Sequence, residues 1–432
     1  MRDAARIQTA IDILEKIEGS RVPMDNTIRD YMKFRRYIGS KDRKYIVELV
    51  YSIMRSWARL NWWLEKISLV NTPRSKVLTY LCLDGLSTHD ITIRFCGEKH
   101  CPDLLSDEEQ KAVDALQGKK LNDDKMDVAI IAECPPKHEE KLRSVFGDDF
   151  ARQMKSMIDP AQMDLRVNTI KVTRERAQEV LAADAVETIE TPHSPYGLRA
   201  VGKPYMSATK AFHKGLVEIQ DEGSQLIAYI CQAQPGMRVL DYCAGSGGKT
   251  LGIAAQMEGK GIIYAMDNDS RRLEKGRRRY RKADIHNVEV RSLEDDKNRK
   301  WLRRQKGAMD IVLVDAPCSS SGTWRRNPDY RWFQYGPTLE EIIDIQADIL
   351  ERVADKVKPG GRLVYATCSL FHEENEAQIE KFLENHKDYK LLNVKDIWPS
   401  GAENSPVDGP YLRLSPADHH TNGFFTAVLE HQ

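Results

Sequence analysis

Residues 239–250 read VLDYCAGSGGKT, and this stretch decides the fold. Val239, Leu240 and Asp241 close a short strand, and Cys243-Ala244-Gly245-Ser246-Gly247-Gly248-Lys249-Thr250 turns the chain into a helix. Glycines let the backbone pass close to a bound group, and free amides at a helix start favour polar or anionic ligand atoms at the carboxyl edge of a parallel sheet. The spacing is not that of a triphosphate loop, because only Gly247 to Lys249 match the tail of GxxxxGK[ST]. The turn therefore predicts a ligand cradle, with a nucleotide triphosphatase as the weaker reading.

Downstream of the turn, strand and helix signals alternate, as a parallel sheet covered on both faces requires. Strands are expected at 262–266, 288–290, 311–314 and 362–365, and a helix after Pro337 has a capping box in Thr338 and Glu341. A terminal strand pair is expected at 389–392 and 424–429. Asp267 follows the second strand, about 20 residues after the turn, where a carboxylate can accept both ribose hydroxyls of an adenosine-containing cofactor. Asp269 is a rival for that place.

Upstream the pattern changes twice. Leu165-Arg166-Val167-Asn168-Thr169 alternates apolar and polar residues, Thr173 is placed to cap a helix, and strands follow at 186–189, 198–201 and 216–219, with a helix at 223–231. Before that, Ile7, Ala10, Ile11, Leu14 and Ile17, then Ile46, Leu49, Val50, Ile53 and Trp57, recur at helical spacing. The expected organisation is a helical domain at 1–151, a small α+β module at 160–232 and an α/β domain at 233–432.

Composition narrows the class. The chain has 432 residues, 41% hydrophobic and 30% charged, which describes a folded globular protein. No apolar run approaches the roughly 18 residues of a membrane span, and the opening residues form no signal-peptide block, so a cytosolic protein without a membrane partner is expected. Eight cysteines without a CxxC pair read as free thiols, and no metal site is expected, Cys96, His100 and Cys101 being read as ordinary residues. Lysine plus arginine (65) balances aspartate plus glutamate (65), so any polyanion must be met by a local cluster.

Two cysteines lie just past strand ends, Cys318 in Asp315-Ala316-Pro317-Cys318 and Cys368 in Thr367-Cys368-Ser369. In an open parallel sheet the ligand crevice lies outside the carboxyl ends of the strands. This places Cys318, Cys368, Asp315 and the glycine turn around one pocket. Either thiol alone would be read as a small buried hydrophobe, but the pair is not.

The stretches LDYCAGSGGKT (240–250), VDAPCSSSGTWRRNPDYRW (314–332) and VYATCSLFHEENE (364–376) resemble the RNA cytosine-5 methyltransferases of the Sun (RsmB) family. DLRVNTIK (164–171) and EIQDEGSQL (218–226) are similar to that family's middle module, and the helical N-terminus to its NusB-like domain. The first motif departs from the family's CAAPGGKT, with Gly245 and Ser246 in place of its alanine and proline. The resemblance implies a Rossmann-like domain that binds S-adenosylmethionine through residues 243–249, Asp267 and Asp315. Where the family offers an aspartate to the adenine side, this chain has Leu293 and Glu294, which makes Glu294 the candidate there.

The same resemblance implies the chemistry. Carbon 5 of cytosine is a poor nucleophile until a thiolate adds at carbon 6. Cys368 is implied as that nucleophile, Cys318 as the residue that releases the carbon-5 hydrogen, and Asp315 as the contact to the polar edge of the base near nitrogen 3. Lys249 is expected to orient Asp315 or the turn. The implied partner is RNA, with 16S ribosomal RNA of the small subunit first and transfer RNA second, and a monomer is expected. A noncatalytic RNA-binding assembly factor is the alternative from another class, and retention of both thiols argues against it.

Residues 271–282 hold eight basic side chains against one acidic, and Arg299, Lys300, Arg303, Arg304 and Lys306 form a second cluster. Such charge attracts phosphates. Arg325 and Arg326 beside Trp324, Tyr330 and Trp332 are expected to add faces on which an extruded base can stack.

Overall fold

Asp164–Val167 is a strand buried along its whole length. In the computed structural model, which describes residues 1–432, the chain divides into two compact units. One takes residues 161–323 with 338–432, the other 1–160 with 324–337.

The first of these opens with an antiparallel sheet of β1 (Asp164–Val167), β2 (Thr188–Glu190), β3 (Gly197–Ala200) and β4 (Val217–Ile219), in the order β2-β3-β1-β4. Leu165 and Val167 pack with Ala177 and Leu181 of the helix Arg174–Ala183, which Thr173 caps. The alternate residues, Asp164 and Arg166, are buried polar groups and both are bonded, as burial demands. Arg199 Nε donates to Asp164 Oδ1 at 2.7 Å, and Arg166 Nη1 donates to Gln220 Oε1 at 2.7 Å and to the Gly248 carbonyl at 2.5 Å. Asn168 Nδ2 donates to the Ala283 carbonyl at 2.8 Å, so this module shares one unit with the larger sheet.

The larger sheet contains β5 (Arg238–Asp241), β6 (Ile262–Asp267), β7 (Val288–Ser292), β8 (Met309–Asp315), β9 (Val357–Thr367), β10 (Tyr389–Leu392), β11 (Leu412–Leu414) and β12 (Phe424–His431). Its order is β10-β12-β9-β8-β5-β6-β7, with β11 paired to β12. β5 runs parallel to both neighbours, Leu240 lying opposite Tyr264 of β6 and Val312 of β8. β12 is antiparallel and fills the space between β9 and β10, Val428 facing Val364 and Leu392. Both faces are apolar: Val239, Ile263, Ile311 and Val364 lie in one core, Leu240, Tyr264, Val312 and Tyr365 in the other. This is a Rossmann-like, mostly parallel sheet, and the chain winds outward from β5 in both directions. The crevice at that switch point is where such sheets bind ligands.

The second unit is helical, with ten α-helices from Asp3 to Lys155. Ile7, Leu14, Ile46, Val50 and Ile53 are fully buried in its core, as the spacing predicts. Residues 324–337 belong to it as well, and here the expectation of a base-stacking face is corrected. Trp324 is 2% and Arg325 7% exposed. Trp332 packs on the helical core with its Nε1 donating to the Met54 carbonyl at 3.0 Å, and Tyr330 meets Tyr335 edge-on. Asp329 Oδ2 accepts from the Met24 amide at 2.9 Å, and Arg331 Nη2 donates to the Met157 carbonyl at 3.1 Å. These side chains hold the segment in the helical unit. No helix is long and apolar enough to cross a membrane.

Candidate active site

The glycine turn works by backbone conformation. Gly245 and Gly247 have φ of +55° and +79°, the left-handed region that favours glycine. A Cβ on Gly247 would stand 2.2 Å from the hydroxyl of buried Tyr280. The Gly245 amide donates to Asp267 Oδ2 at 2.8 Å, which ties the turn to the end of β6. Asp267 is buried, and its Oδ1 accepts from the Asp269 amide at 2.8 Å. Asp269 is engaged elsewhere, since it caps the helix Ser270–Ala283 by accepting from the amides of Arg271 and Arg272. The two rivals are thus separated: Asp267 borders the cavity and Asp269 holds a helix start.

A cavity of about 880 Å³ opens at the sheet's carboxyl edge, with Cys243, Asp267, Leu293, Asp315, Cys318 and Cys368 in its wall. Of residues 243–249, Cys243 lines it, while Ala244, Gly245, Ser246, Gly247 and Gly248 form the turn behind that wall. Glu294 is exposed, and its neighbour Leu293 lines the cavity in its stead. Lys249 Nζ lies 2.6 Å from Asp315 Oδ2. Burial works against the lysine charge, but Asp315 outweighs it and holds the ammonium above the usual lysine range.

The two thiols meet because β8 and β9 are adjacent and in register, with Asp315 opposite Ala366. The Ala316 amide donates to the Ala366 carbonyl at 2.8 Å and the Gly322 amide to the Cys368 carbonyl at 2.9 Å, so the two loops stay paired past the strand ends. Cys318 Sγ lies 3.4 Å from Cys368 Sγ, and Ser320 Oγ is 3.6 Å from Cys368 Sγ. The contact between the sulfurs splits their acidities. The hydrogen bond between them holds the Cys368 thiol below its usual range and, with burial, pushes Cys318 well above it. Such a split in acidity suits a nucleophile and a proton-handling partner acting on one substrate.

Sequence reasoning missed Glu374, which is fully buried between the two cysteine loops. In the run His372-Glu373-Glu374-Asn375-Glu376 nothing in residue type separates it from solvated neighbours. Gln346 and Arg166 were missed for the same reason, since both act through contacts distant in sequence.

Residues 228–430 match the family model described as 16S rRNA methyltransferase RsmB/F, and residues 139–204 match the RsmF/B-like ferredoxin-like domain. The probable ribosomal RNA small subunit methyltransferase B of Synechocystis is 36% identical over 269 residues, 62% of this chain and 60% of that protein. The match thus spans less than two thirds of that relative. Ribosomal RNA small subunit methyltransferase B of Yersinia enterocolitica is 26% identical, over 86% of this chain and 89% of that protein. Among solved structures, PH0851 superposes with a TM-score of 0.78 at 27% identity, covering 100% of this chain and 99% of its own.

Proposed function

Because the chain belongs to the RsmB/F family of methyltransferases, we propose that it methylates carbon 5 of a cytosine in RNA, using S-adenosylmethionine and a covalent adduct to Cys368. Small-subunit ribosomal RNA is the substrate favoured by the names of its relatives. The observation that carries the reading is the 3.4 Å contact between Cys318 and Cys368 in the wall of one cavity.

The residues present fit the methyl donor. Each Asp267 oxygen takes one amide and keeps a lone pair for a ribose hydroxyl. Leu293 and Leu302 offer an apolar wall to an adenine, and Asp241 Oδ1 is buried without a partner beneath the turn. The cavity volume of about 880 Å³ lies in the upper part of the range for ligand sites, roughly 300–1,000 Å³. When bound, S-adenosylmethionine supplies an electrophilic methyl group.

The chain's own residues do the rest. The Cys368 thiolate adds to carbon 6 of a cytosine turned out of its stack, and the electron pair released onto the ring makes carbon 5 nucleophilic. Asp315, fixed by Lys249, faces the polar edge of the base and stabilises charge that develops there. Once Cys368 is a thioether it carries no charge, and Cys318 releases its own proton to solvent. The Cys318 thiolate then accepts the carbon-5 proton, the electron pair of that bond expels Cys368 as thiolate, and the 5,6 double bond of the ring is restored. Arg271, Lys275 and Arg278, exposed on the helix Ser270–Ala283, offer positive charge to the RNA backbone.

The test is a pair of substitutions assayed with labelled donor and unmodified ribosomal RNA, with transfer RNA as the comparison substrate. Cys318→Ala should accumulate a denaturation-resistant protein–RNA adduct, because release stalls. Cys368→Ala should form none, and an adduct with that variant would reverse the two roles.

A further inference from the structure

Cys318 and Cys368 sit on separate loops, each at the end of its own strand, yet their sulfurs touch. The side chain that joins those loops is Glu374, which is 0% exposed. Its Oε1 accepts from the Ser319 amide at 2.8 Å and from Gln346 Nε2 at 3.0 Å. Its Oε2 accepts from Ser319 Oγ at 2.5 Å and from Ser369 Oγ. Ser319 follows Cys318 and Ser369 follows Cys368, so one carboxylate grips both loops next to the thiols. Gln346, on the helix Leu339–Ala354, donates with the same nitrogen to the Pro317 carbonyl at 2.9 Å, on the other side of Cys318.

A carboxylate offers about four lone-pair sites, and here four donors fill them. Burial pushes this carboxyl up, and the four donors work against that push. An amide in its place would keep an acceptor for the Ser319 amide and Gln346 but would force both serine hydroxyls to turn from donor to acceptor. Glu374 touches neither sulfur and does not line the cavity, so it takes no part in the chemistry itself.

We infer that Glu374 is a positioning residue, a buried cross-tie that holds the Cys318 and Cys368 loops together and so sets the 3.4 Å contact between their sulfurs. A hydrogen bond between sulfurs weakens steeply with distance, and a displacement of a reacting group by about 1 Å costs about 100-fold in rate. The inference rests on the two-thiol reading above, and its test reads the thiol directly, without RNA or donor.

The experiment follows the alkylation of Cys368 by iodoacetamide against pH, with the modified peptide identified by mass spectrometry. Glu374→Gln should raise the ionisation midpoint of Cys368 by about one unit, a tenfold loss of thiolate at neutral pH. Its kcat should fall about 100-fold, with KM for donor and RNA within about threefold of wild type. Ser369→Ala, which removes one of the four bonds, should shift the midpoint in the same direction by less, and serves if Glu374→Gln does not fold. Phe382→Leu, a change in the core away from the loops, should lower Tm and leave the midpoint unmoved. A Glu374→Gln or Ser369→Ala protein with the midpoint and kcat of wild type would overturn the assignment. Loss of the adduct in Cys318→Ala would instead overturn the two-thiol reading and leave the cross-tie standing.

Discussion

Lys249 and Asp315 form a salt bridge of 2.6 Å at the wall of the cavity, the lysine coming from the first turn of the helix Gly248–Gln256 and the aspartate from the end of β8. Asp315 holds the lysine charge where water is scarce, the Lys249 side chain being only 10% exposed.

Removing either partner leaves the other charge uncompensated. Lys249→Met and Asp315→Asn should each slow single-turnover methyl transfer by about 100-fold. The double variant should lose little more than either single one, because the two act as one unit. Additive losses would show that they act separately.

Asp241 gives a signed pH dependence. Burial pushes its carboxyl up from 3.8 to about 7. Between those values the folded protein keeps a proton that the unfolded chain has lost, so this group's contribution to stability falls as pH rises from about 4 to about 7 and is constant above. Asp241→Asn can still accept from Thr250 Oγ1, which stands 2.6 Å away, and it removes the titration. Its Tm relative to wild type should therefore be higher at pH 8 than at pH 4.5. A difference that stays flat across that range would exclude Asp241 as the source.

Two glycines with similar φ should respond differently to alanine. Gly259 has φ of +68° and open space where a Cβ would go, so Gly259→Ala should cost about 1 kcal/mol from backbone strain alone. Gly247 adds the collision with Tyr280, so Gly247→Ala should cost about 3 kcal/mol or more and abolish donor binding. Denaturant unfolding and calorimetric titration of the donor measure both.

On the basic helix, replacing Arg271, Lys275 and Arg278 together by glutamine should weaken RNA binding and leave donor binding intact. At about 0.7 released counterions per contact, the slope of log affinity against log salt should drop by about 2. An unchanged slope would mean that the RNA lies on another face.

The sheet was legible because its strands are short apolar runs set between strong turn signals. β5, β6 and β8 lie within two residues of the expected ranges. β9 begins at Val357 rather than 362, because Pro359-Gly360-Gly361 punctuates the sequence while the structure carries the strand through it, with a register shift against Met309 and Ile311 of β8. The thiol pair was legible as two strand-end cysteines. Their cross-tie was not, since Glu374 is one carboxylate in an acidic run and its partners Ser319 and Gln346 are 55 and 28 residues away. Trp324 and Trp332 misled for the converse reason. An aromatic beside arginines looks the same whether it faces a base or a protein interior, and what takes these two lies more than a hundred positions earlier, the helical core for Trp332 and the ring of His138 for Trp324.

That detour of residues 324–337 governs where the molecule tolerates cutting. An expression fragment beginning at 161 retains the whole cavity at the sheet's carboxyl edge yet strands Trp324, Arg331 and Phe333 with nothing to bury them, an apolar flap hanging a few residues beyond Cys318. Such a fragment invites aggregation, and trimming the flap to a short polar linker is the remedy its chain path suggests.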